Sequence, residues 1–206
     1  MPGLNLGIGN MKEFQQIKDW LQLVPFLTKE DLDLFEPFLC LKKFDANQIM
    51  LSAGDVCREL CFVNSGLFRM YYLSDGKEIN ISFVFENEFV ADYESFICQK
   101  PSRFFIEAME ASVVMPFSHE LLMHAYSTSK NWERFGRMKA EEVARTTSGR
   151  VESFLSMEGK ERYLQLVKER PYIFERVSLY HIASYLGMER ESLSRIRKAI
   201  ITEKRK

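Results

Sequence analysis

Residues 178–198, SLYHIASYLGMERESLSRIRK, hold two short apolar repeats separated by a glycine. Ser178 is a typical N-cap residue. The apolar residues after it recur at three- and four-residue spacing, as on one helix face: Leu179, Ile182 and Leu186. Gly187 ends this helix, and the next helix repeats the spacing at Leu193, Ile196 and Ile200. Ala183 is small enough for two helices to cross closely, so the stretch predicts a helix-turn-helix.

The outer face of the second helix carries polar side chains of the kind that contact DNA. The predicted DNA-binding residues are Ser178, Arg190, Glu191, Ser194, Arg195, Arg197 and Lys198. Arg can donate two hydrogen bonds to guanine and Glu can accept one from cytosine, while Lys, Ser and Arg also suit phosphates. This set predicts a helix that lies in a major groove. The alternative is an ordinary two-helix corner with a solvated polar face.

Charge is divided unevenly along the chain. Residues 1–128 hold 10 Lys and Arg against 18 Asp and Glu, a net charge of −8. Residues 129–206 hold 18 against 11, a net charge of +7. A basic segment suits a polyanion such as DNA, because cations that neutralise phosphates release bound counterions. Since charge runs are usually solvated faces, the asymmetry supports the helix-turn-helix without deciding it.

Residues 38–117 alternate short apolar runs with turn residues, which is typical of an all-β domain. The clearest hairpin joins strands at 67–73 and 79–84 through Ser74-Asp75-Gly76. Further strands are predicted at 48–51, 59–64, 103–109 and 112–117. Short antiparallel strands in this number protect their edges by closing into a jelly roll or barrel, which can hold one small ligand. Two short helices are predicted within residues 11–36.

A long amphipathic helix is predicted after Ser129. Its apolar stripe includes the residues predicted to form a dimer interface: Trp132, Phe135, Met138, Val143 and Val151. One roll cannot cover a stripe of this length, so we expect a second copy of the helix to cover the rest in a homodimer. The alternative is that the stripe lies on its own domain.

Several classes of protein are disfavoured. No uncharged apolar run reaches the roughly 18 residues of a membrane span, and the N-terminus lacks a secretory stretch, so we predict a cytoplasmic protein without a membrane partner. The cysteines form no CxxC pair, which predicts reduced thiols: Cys40, Cys57, Cys61 and Cys98. A metal enzyme of the cupin type would need histidines in the β segment, which has none. We therefore expect no enzyme, no catalytic residues and no metal site.

The order of roll, long helix and helix-turn-helix resembles the Crp/Fnr regulators, the cyclic-AMP receptor family. Residues 182–198 carry the resemblance most specifically, with Arg190, Glu191 and Arg195 at the family's base-reading positions. Shorter similarities lie at Asn64-Ser65-Gly66, at Asp75-Gly76-Lys77-Glu78 and at Phe174-Glu175-Arg176, the last of which is typical of Bacteroidetes members. The resemblance implies a transcription regulator that binds a pseudo-palindromic operator as a homodimer, with RNA polymerase as a further partner.

The resemblance defines the predicted fold class as α+β. We expect a cyclic-nucleotide-binding-like β-roll that senses an effector over residues 1–128, a dimerisation helix over 129–156 and a helix-turn-helix domain over 157–206. An alternative function is a ligand-sensing signalling or interaction module that does not bind DNA.

The ligand-binding part of the roll departs from the family pattern. Members that bind a cyclic nucleotide hold its phosphate with an Arg-Ser pair and its ribose with a Gly-Glu pair. Alignment without gaps places Ser102-Arg103 and Ala91-Asp92 there, so the arginine is displaced by one residue and turns to the other face of its strand. We expect a small-molecule effector other than cyclic AMP, unless a bulge turns Arg103 inward. The predicted pocket residues are Glu88, Asp92, Ser102 and Arg103.

Overall fold

The chain forms a mixed α/β structure. The computed structural model describes residues 8–203. These residues divide into two compact units, the first taking in the chain up to Met70 with Phe83–Lys139, and the second Tyr71–Ser82 with the chain from Ala140 onward. The division crosses a β-hairpin and a long helix. Each unit is described separately below.

The first unit begins with helices α1 (Ile8–Gln22) and α2 (Lys29–Asp33) and a 3-10 turn at Glu36–Phe38. Thr28 starts α2 with a capping box, in which its hydroxyl accepts from the Asp31 N–H and the Asp31 carboxylate accepts from the Thr28 N–H. The two short helices predicted for this region are confirmed.

Within the described residues, eight strands form two four-stranded sheets. They are β1 (Lys42–Phe44), β2 (Ile49–Leu51), β3 (Glu59–Ser65), β4 (Phe68–Ser74), β5 (Lys77–Val84), β6 (Phe89–Val90), β7 (Phe105–Ala108) and β8 (Ser112–Ser118). One sheet has the order β1-β8-β3-β6 and the other β2-β7-β4-β5. In the antiparallel pair of β3 and β8, Phe62 lies opposite Met115. This arrangement is the predicted jelly-roll-like β domain.

The six predicted strands are present to within two residues at each end. The turn between β4 and β5 has φ values of 49° at Asp75 and 75° at Gly76, and such positive values at both central residues suit a two-residue hairpin. The sequence did not indicate β1, β6 or the short helix α3 (Tyr93–Cys98). These elements are too short to show a period.

The core of the first unit lies on the inner faces of its strands and is mainly aromatic and aliphatic. Its most buried members include Phe62, Phe68, Phe96, Ile106 and Met115. Because alternate residues of a strand face opposite sides, Ile106 and Ala108 of β7 both point into this core. Cys57 and Cys61 are buried, whereas Cys40 and Cys98 are exposed, and all four are free thiols.

Two helices follow the strands: α4 (His119–Thr128) and α5 (Lys130–Ser156). Ser118 and Ser129 cap them by accepting from the N–H groups of Leu121 and Trp132, as predicted. Trp132 is 2% exposed and Phe135 6%, and the Trp132 ring packs edge-on against Phe35 with centroids 4.3 Å apart. These two residues, predicted for the dimer interface, therefore belong to the core of their own unit.

The second unit contains the C-terminal helices α6 (Gly159–Glu169), α7 (Ile173–Arg176), α8 (Leu179–Tyr185) and α9 (Arg190–Glu203). They enclose a small apolar core of Leu166, Ile173, Val177, Ile182, Ala183, Leu186 and Leu193. In residues 8–203, no helix has both the length and the apolar character that crossing a membrane requires.

Candidate nucleic-acid interface

Helices α8 and α9 are joined by a tight turn built around Gly187. The Gly187 N–H donates to the Ser184 carbonyl, and the Met188 N–H donates to the Ala183 carbonyl. This pair of bonds is a Schellman motif, and it requires the φ of +66° that Gly187 adopts. Across the turn, Ala183 is 2% exposed and Leu193 is fully buried. Ala183 and Gly187 therefore lie at the helix crossing and at the turn, as the sequence pattern predicted.

The predicted DNA-binding residues lie on or beside α9. Arg190, Glu191, Arg195 and Lys198 are exposed, Ser194 and Arg197 are half-buried, and Ser178 is exposed at the start of α8. Ser178 also caps α8, since its hydroxyl accepts from the His181 N–H at 3.4 Å. Residues three, four and seven positions apart share one side of a helix, so Glu191, Ser194, Arg195 and Lys198 form one polar face.

Arg195 is held only loosely within α9. Its guanidinium lies 3.5 Å from the Glu191 carbonyl and 3.5 Å from the Ser192 hydroxyl, which is long for a hydrogen bond. A guanine edge would offer two shorter, charge-assisted bonds in their place. The arrangement leaves Arg195 able to turn toward a base.

The tip of the β4–β5 hairpin packs against α8 in the second unit, which the sequence did not indicate. The Ser184 hydroxyl donates to the Glu78 carbonyl at 2.8 Å and accepts from the Asn80 N–H at 3.0 Å. The Asn80 side chain also lies 3.3 Å from His181 Nδ1. These bonds fix α8 from the side opposite its apolar core.

The predicted effector residues each make local bonds in the first unit. The Glu88 carboxylate accepts from the Phe85 N–H at 3.0 Å, and Asp92 caps α3 by accepting from the Ser95 N–H at 3.4 Å. The Ser102 hydroxyl is buried, accepts from the Phe104 N–H at 2.9 Å and donates to the Phe104 carbonyl. Arg103 is exposed, with its guanidinium carbon 5.7 Å from the centre of the Phe104 ring.

The β domain, with the short helix α3 between β6 and β7, is similar to a known domain. Residues 41–129 match the cyclic nucleotide-binding domain. No curated protein matches the sequence significantly. The match covers most of the roll together with α3 and α4, and ends where α5 begins.

Solved structures extend the similarity beyond this domain. FixK2 from Bradyrhizobium japonicum has a TM-score of 0.68 at 18% identity, over 80% of this chain and 85% of that chain. A CooA variant from Carboxydothermus hydrogenoformans has a TM-score of 0.67 at 13% identity, over 83% and 79%. A Crp/Fnr family protein from Eubacterium rectale has a TM-score of 0.67 at 20% identity, over 90% and 88%. At such identities the similarity shows a shared fold.

Two arginines of the matched region bear on whether it could hold a ligand phosphate: Arg69 and Arg103. Arg103 is exposed and lies before the first residue of β7. Arg69 is the buried cation among the described residues, and it pairs with Glu107 at 2.7 Å. Arg69 follows Phe68, a core residue of β4, and therefore points to the other side of the sheet. The buried arginine of the matched region is therefore paired with a carboxylate.

The second half of α5 has an exposed stripe. Ala144, Ser148, Val151 and Leu155 are spaced four, three and four apart, as in the seam of a coiled coil, and all are exposed. Val151 is 54% exposed and Leu155 83%, and both line a shallow groove on this helix. Val143 lies about 80° around the helix from Val151, and Met138 about 140°. The predicted interface residues Met138 and Val143 are exposed but lie on other sides of the helix from this seam.

A metal centre requires several ligating side chains close together. In the described part of the chain, no group of three His, Cys, Asp or Glu side chains is placed to hold a metal ion. His119, which lies nearest to the roll in sequence, packs edge-on against Phe96 with ring centroids 5.4 Å apart.

Proposed function

We propose that this chain is a sequence-specific, DNA-binding transcription regulator of the Crp/Fnr type that acts as a homodimer. The observation that carries the proposal is the polar face of α9, where exposed Arg190, Glu191, Arg195 and Lys198 stand directly after a Schellman turn. In this function α8 and α9 act as a helix-turn-helix, and α9 enters the major groove. The fold shared with Crp/Fnr regulators supports it.

The homodimer would be held by the seam of Ala144, Ser148, Val151 and Leu155. An exposed fraction of 83% for a leucine in a helix is explained if a second copy of α5 covers it. A two-fold axis pairs the same surface of both copies, so the seam of one α5 would pack against the seam of the other. Two copies of α9 would then meet two half-sites of a pseudo-palindromic operator, about one DNA turn apart.

The experiment that tests DNA binding begins with selection of genomic fragments by the full-length protein at low salt, followed by footprinting of the retained sites. Arg195→Ala should weaken binding to the selected site by about 1 to 3 kcal/mol and relax the preference at one base pair. Lys198→Ala should weaken all sequences alike and reduce the slope of log affinity against log salt by about one.

Lys168→Ala is the matched control, because Lys168 is an exposed cation of α6 outside the α9 face. It should leave both the base preference and the salt slope unchanged. Retention of no fragment by the wild-type protein would refute the proposal and favour the signalling module that does not bind DNA. If the footprints of Arg195→Ala and Lys198→Ala are the same as that of the wild type, neither residue contacts DNA.

The roll is proposed to sense a small-molecule effector other than cyclic AMP. The match to the cyclic nucleotide-binding domain supports a ligand-sensing role, while the pairing of Arg69 with Glu107 and the exposed position of Arg103 argue against a phosphate ligand. Isothermal titration with cyclic AMP and cyclic GMP should show no saturable heat. Saturable binding of either nucleotide would reverse this conclusion.

The remaining assignments follow from the same proposal. They are a sensor domain over residues 1–128, a dimerisation helix over 129–156, a DNA-binding domain over 157–206, a cytoplasmic location and RNA polymerase as a partner. The resemblance of Phe174-Glu175-Arg176 to Bacteroidetes proteins stays a prediction.

A further inference from the structure

The turn between α8 and α9 exposes backbone carbonyls that two arginines satisfy. Arg150 Nη2 donates to the Tyr185 carbonyl at 2.8 Å, and Arg162 Nε donates to the Leu186 carbonyl at 3.1 Å. The last carbonyls of a helix lack partners within the helix and carry partial negative charge. Guanidinium groups from α5 and α6 therefore stabilise the C-terminal end of α8 by hydrogen bonding and by charge.

Phe154 lies against both arginines. The guanidinium carbons of Arg150 and Arg162 are each 4.9 Å from the centre of its ring, and Arg150 is also 4.1 Å from the Tyr185 ring. Such distances give cation–π attraction. A methyl group added at Gly187 would overlap the Phe154 ring, so the ring lies directly on the glycine of the turn.

Arg150 is more than half enclosed by these groups. It donates a second bond to the Asn80 carbonyl at 3.3 Å. Burial lowers the pKa of Arg150 from its ordinary value, while the charge interaction and hydrogen bond with the Tyr185 side chain act in the opposite direction. An arginine held by carbonyls and rings is oriented by geometry rather than by a flexible ion pair.

We infer that Arg150, Phe154 and Arg162 form a clasp on the α8–α9 turn, and that they are positioning residues for base recognition by α9. The inference rests on the proposed function. Arg150 and Phe154 of the clasp are each followed in α5 by a seam residue, Val151 and Leu155. The helix that is proposed to pair with a second copy would therefore also orient α9. A small displacement of the turn would misplace Arg195 relative to a base edge, because bidentate bonds are directional.

The test compares two substitutions at Phe154 in the full-length protein. Phe154→Leu keeps an apolar side chain but removes the aromatic face. Phe154→Tyr keeps the ring, and because Phe154 is 40% exposed the added hydroxyl can reach water. The readout is the ratio of affinity for the selected operator to affinity for random DNA, with the salt slope measured for both. Phe154→Leu should lower the ratio by roughly five- to ten-fold, the range of one to two cation–π contacts. Phe154→Tyr should retain it, and the salt slope should not change.

Two further measurements separate positioning from simple destabilisation. Thermal unfolding and sedimentation velocity check that each variant is folded and has the same association state as the wild type. Arg162→Lys keeps the charge but cannot bond to the Leu186 carbonyl and stack on the ring together, so it should also lower the ratio. Lys168→Ala, which changes a residue outside the clasp, should leave the ratio unchanged.

The inference is overturned if Phe154→Leu lowers affinity for operator and random DNA alike, since that is a loss of folded protein. The inference is also overturned if Phe154→Leu and Phe154→Tyr lower the ratio of operator to random-DNA affinity by the same factor. Both results leave the proposed function intact when the wild-type protein selects an operator. Failure of the wild-type protein to select DNA instead refutes the proposed function.

Discussion

At the scale of single residues, Asp31 connects the start of α5 to the N-terminal helices. Ser129 Oγ and Asn131 Nδ2 donate to its carboxylate at 2.5 and 2.7 Å, and the Thr28 N–H donates at 2.9 Å. Trp132 Nε1 donates to the Asp31 carbonyl at 2.9 Å. Burial alone would raise the pKa of Asp31, but the bonds from Ser129, Thr28 and Asn131 outweigh it and lower the pKa below its ordinary value.

Asp31→Asn should therefore destabilise the protein by about 2 to 3 kcal/mol at pH 7, because an amide presents hydrogens to donors that need an acceptor. A carboxyl group whose pKa is lowered on folding contributes its stability above the unfolded pKa, near 4, and loses it as the pH falls through the folded value. Urea unfolding of wild type and variant should show a difference that narrows as the pH falls from 5 toward 3. Asp33→Asn, at an exposed position of the same helix, is the control and should show little difference at any pH. A difference that stays constant with pH would show that the Asp31 charge has no part in it.

The orientation of single side chains was predictable where strand alternation decides it. Ile106 and Ala108 both lie in the core because residues two apart on a strand share one side of the sheet. The buried pair of Arg69 and Glu107 was not predictable. A charged residue within a strand pattern usually marks a solvated face, and only the folded sheet brings β4 beside β7.

At the scale of elements, one hydroxyl, that of Ser184, makes two of the hydrogen bonds between the hairpin tip and α8. Ser184→Ala should destabilise the protein by about 1 to 3 kcal/mol, because the Asn80 N–H and the Glu78 carbonyl each lose a bond and Asn80 is fully buried. Chemical unfolding followed by circular dichroism measures this difference. Ser156→Ala, which removes an exposed hydroxyl bonded within α5, should cost less than about 0.5 kcal/mol. Equal losses in the two variants would show that the hairpin contact contributes nothing specific.

Elements with a clear period or a strong cap were predictable, including the β4–β5 hairpin and α8 with its Ser178 cap. The positions at which α5 is buried were not predictable. Trp132 and Phe135 have the same helical spacing as residues of an interface, and a repeat in sequence does not tell which surface covers it. Their burial follows from contacts with Phe35 and Trp20, which are about a hundred residues away in the chain.

At the scale of the whole molecule, the proposed dimer depends on the seam of α5. Leu155→Glu places a charge on the most exposed leucine of the seam, and in a dimer the two copies would face each other across the two-fold axis. The variant should sediment as a monomer at micromolar concentration. Met138→Glu is the matched control, because Met138 is 46% exposed but lies on another side of the helix, and it should leave the association state unchanged.

Loss of the dimer should also change DNA binding in a way that separates it from damage to α9. A monomer reaches one half-site at a time, so affinity for the full operator should fall by about a hundred-fold or more, while affinity for an isolated half-site stays close to that of the wild type. Arg195→Ala should instead weaken both kinds of DNA. If the Leu155→Glu variant remains a dimer, the seam is not the dimer interface. If the variant is a monomer and still binds the full operator with wild-type affinity, the two half-sites are not bound by one dimer.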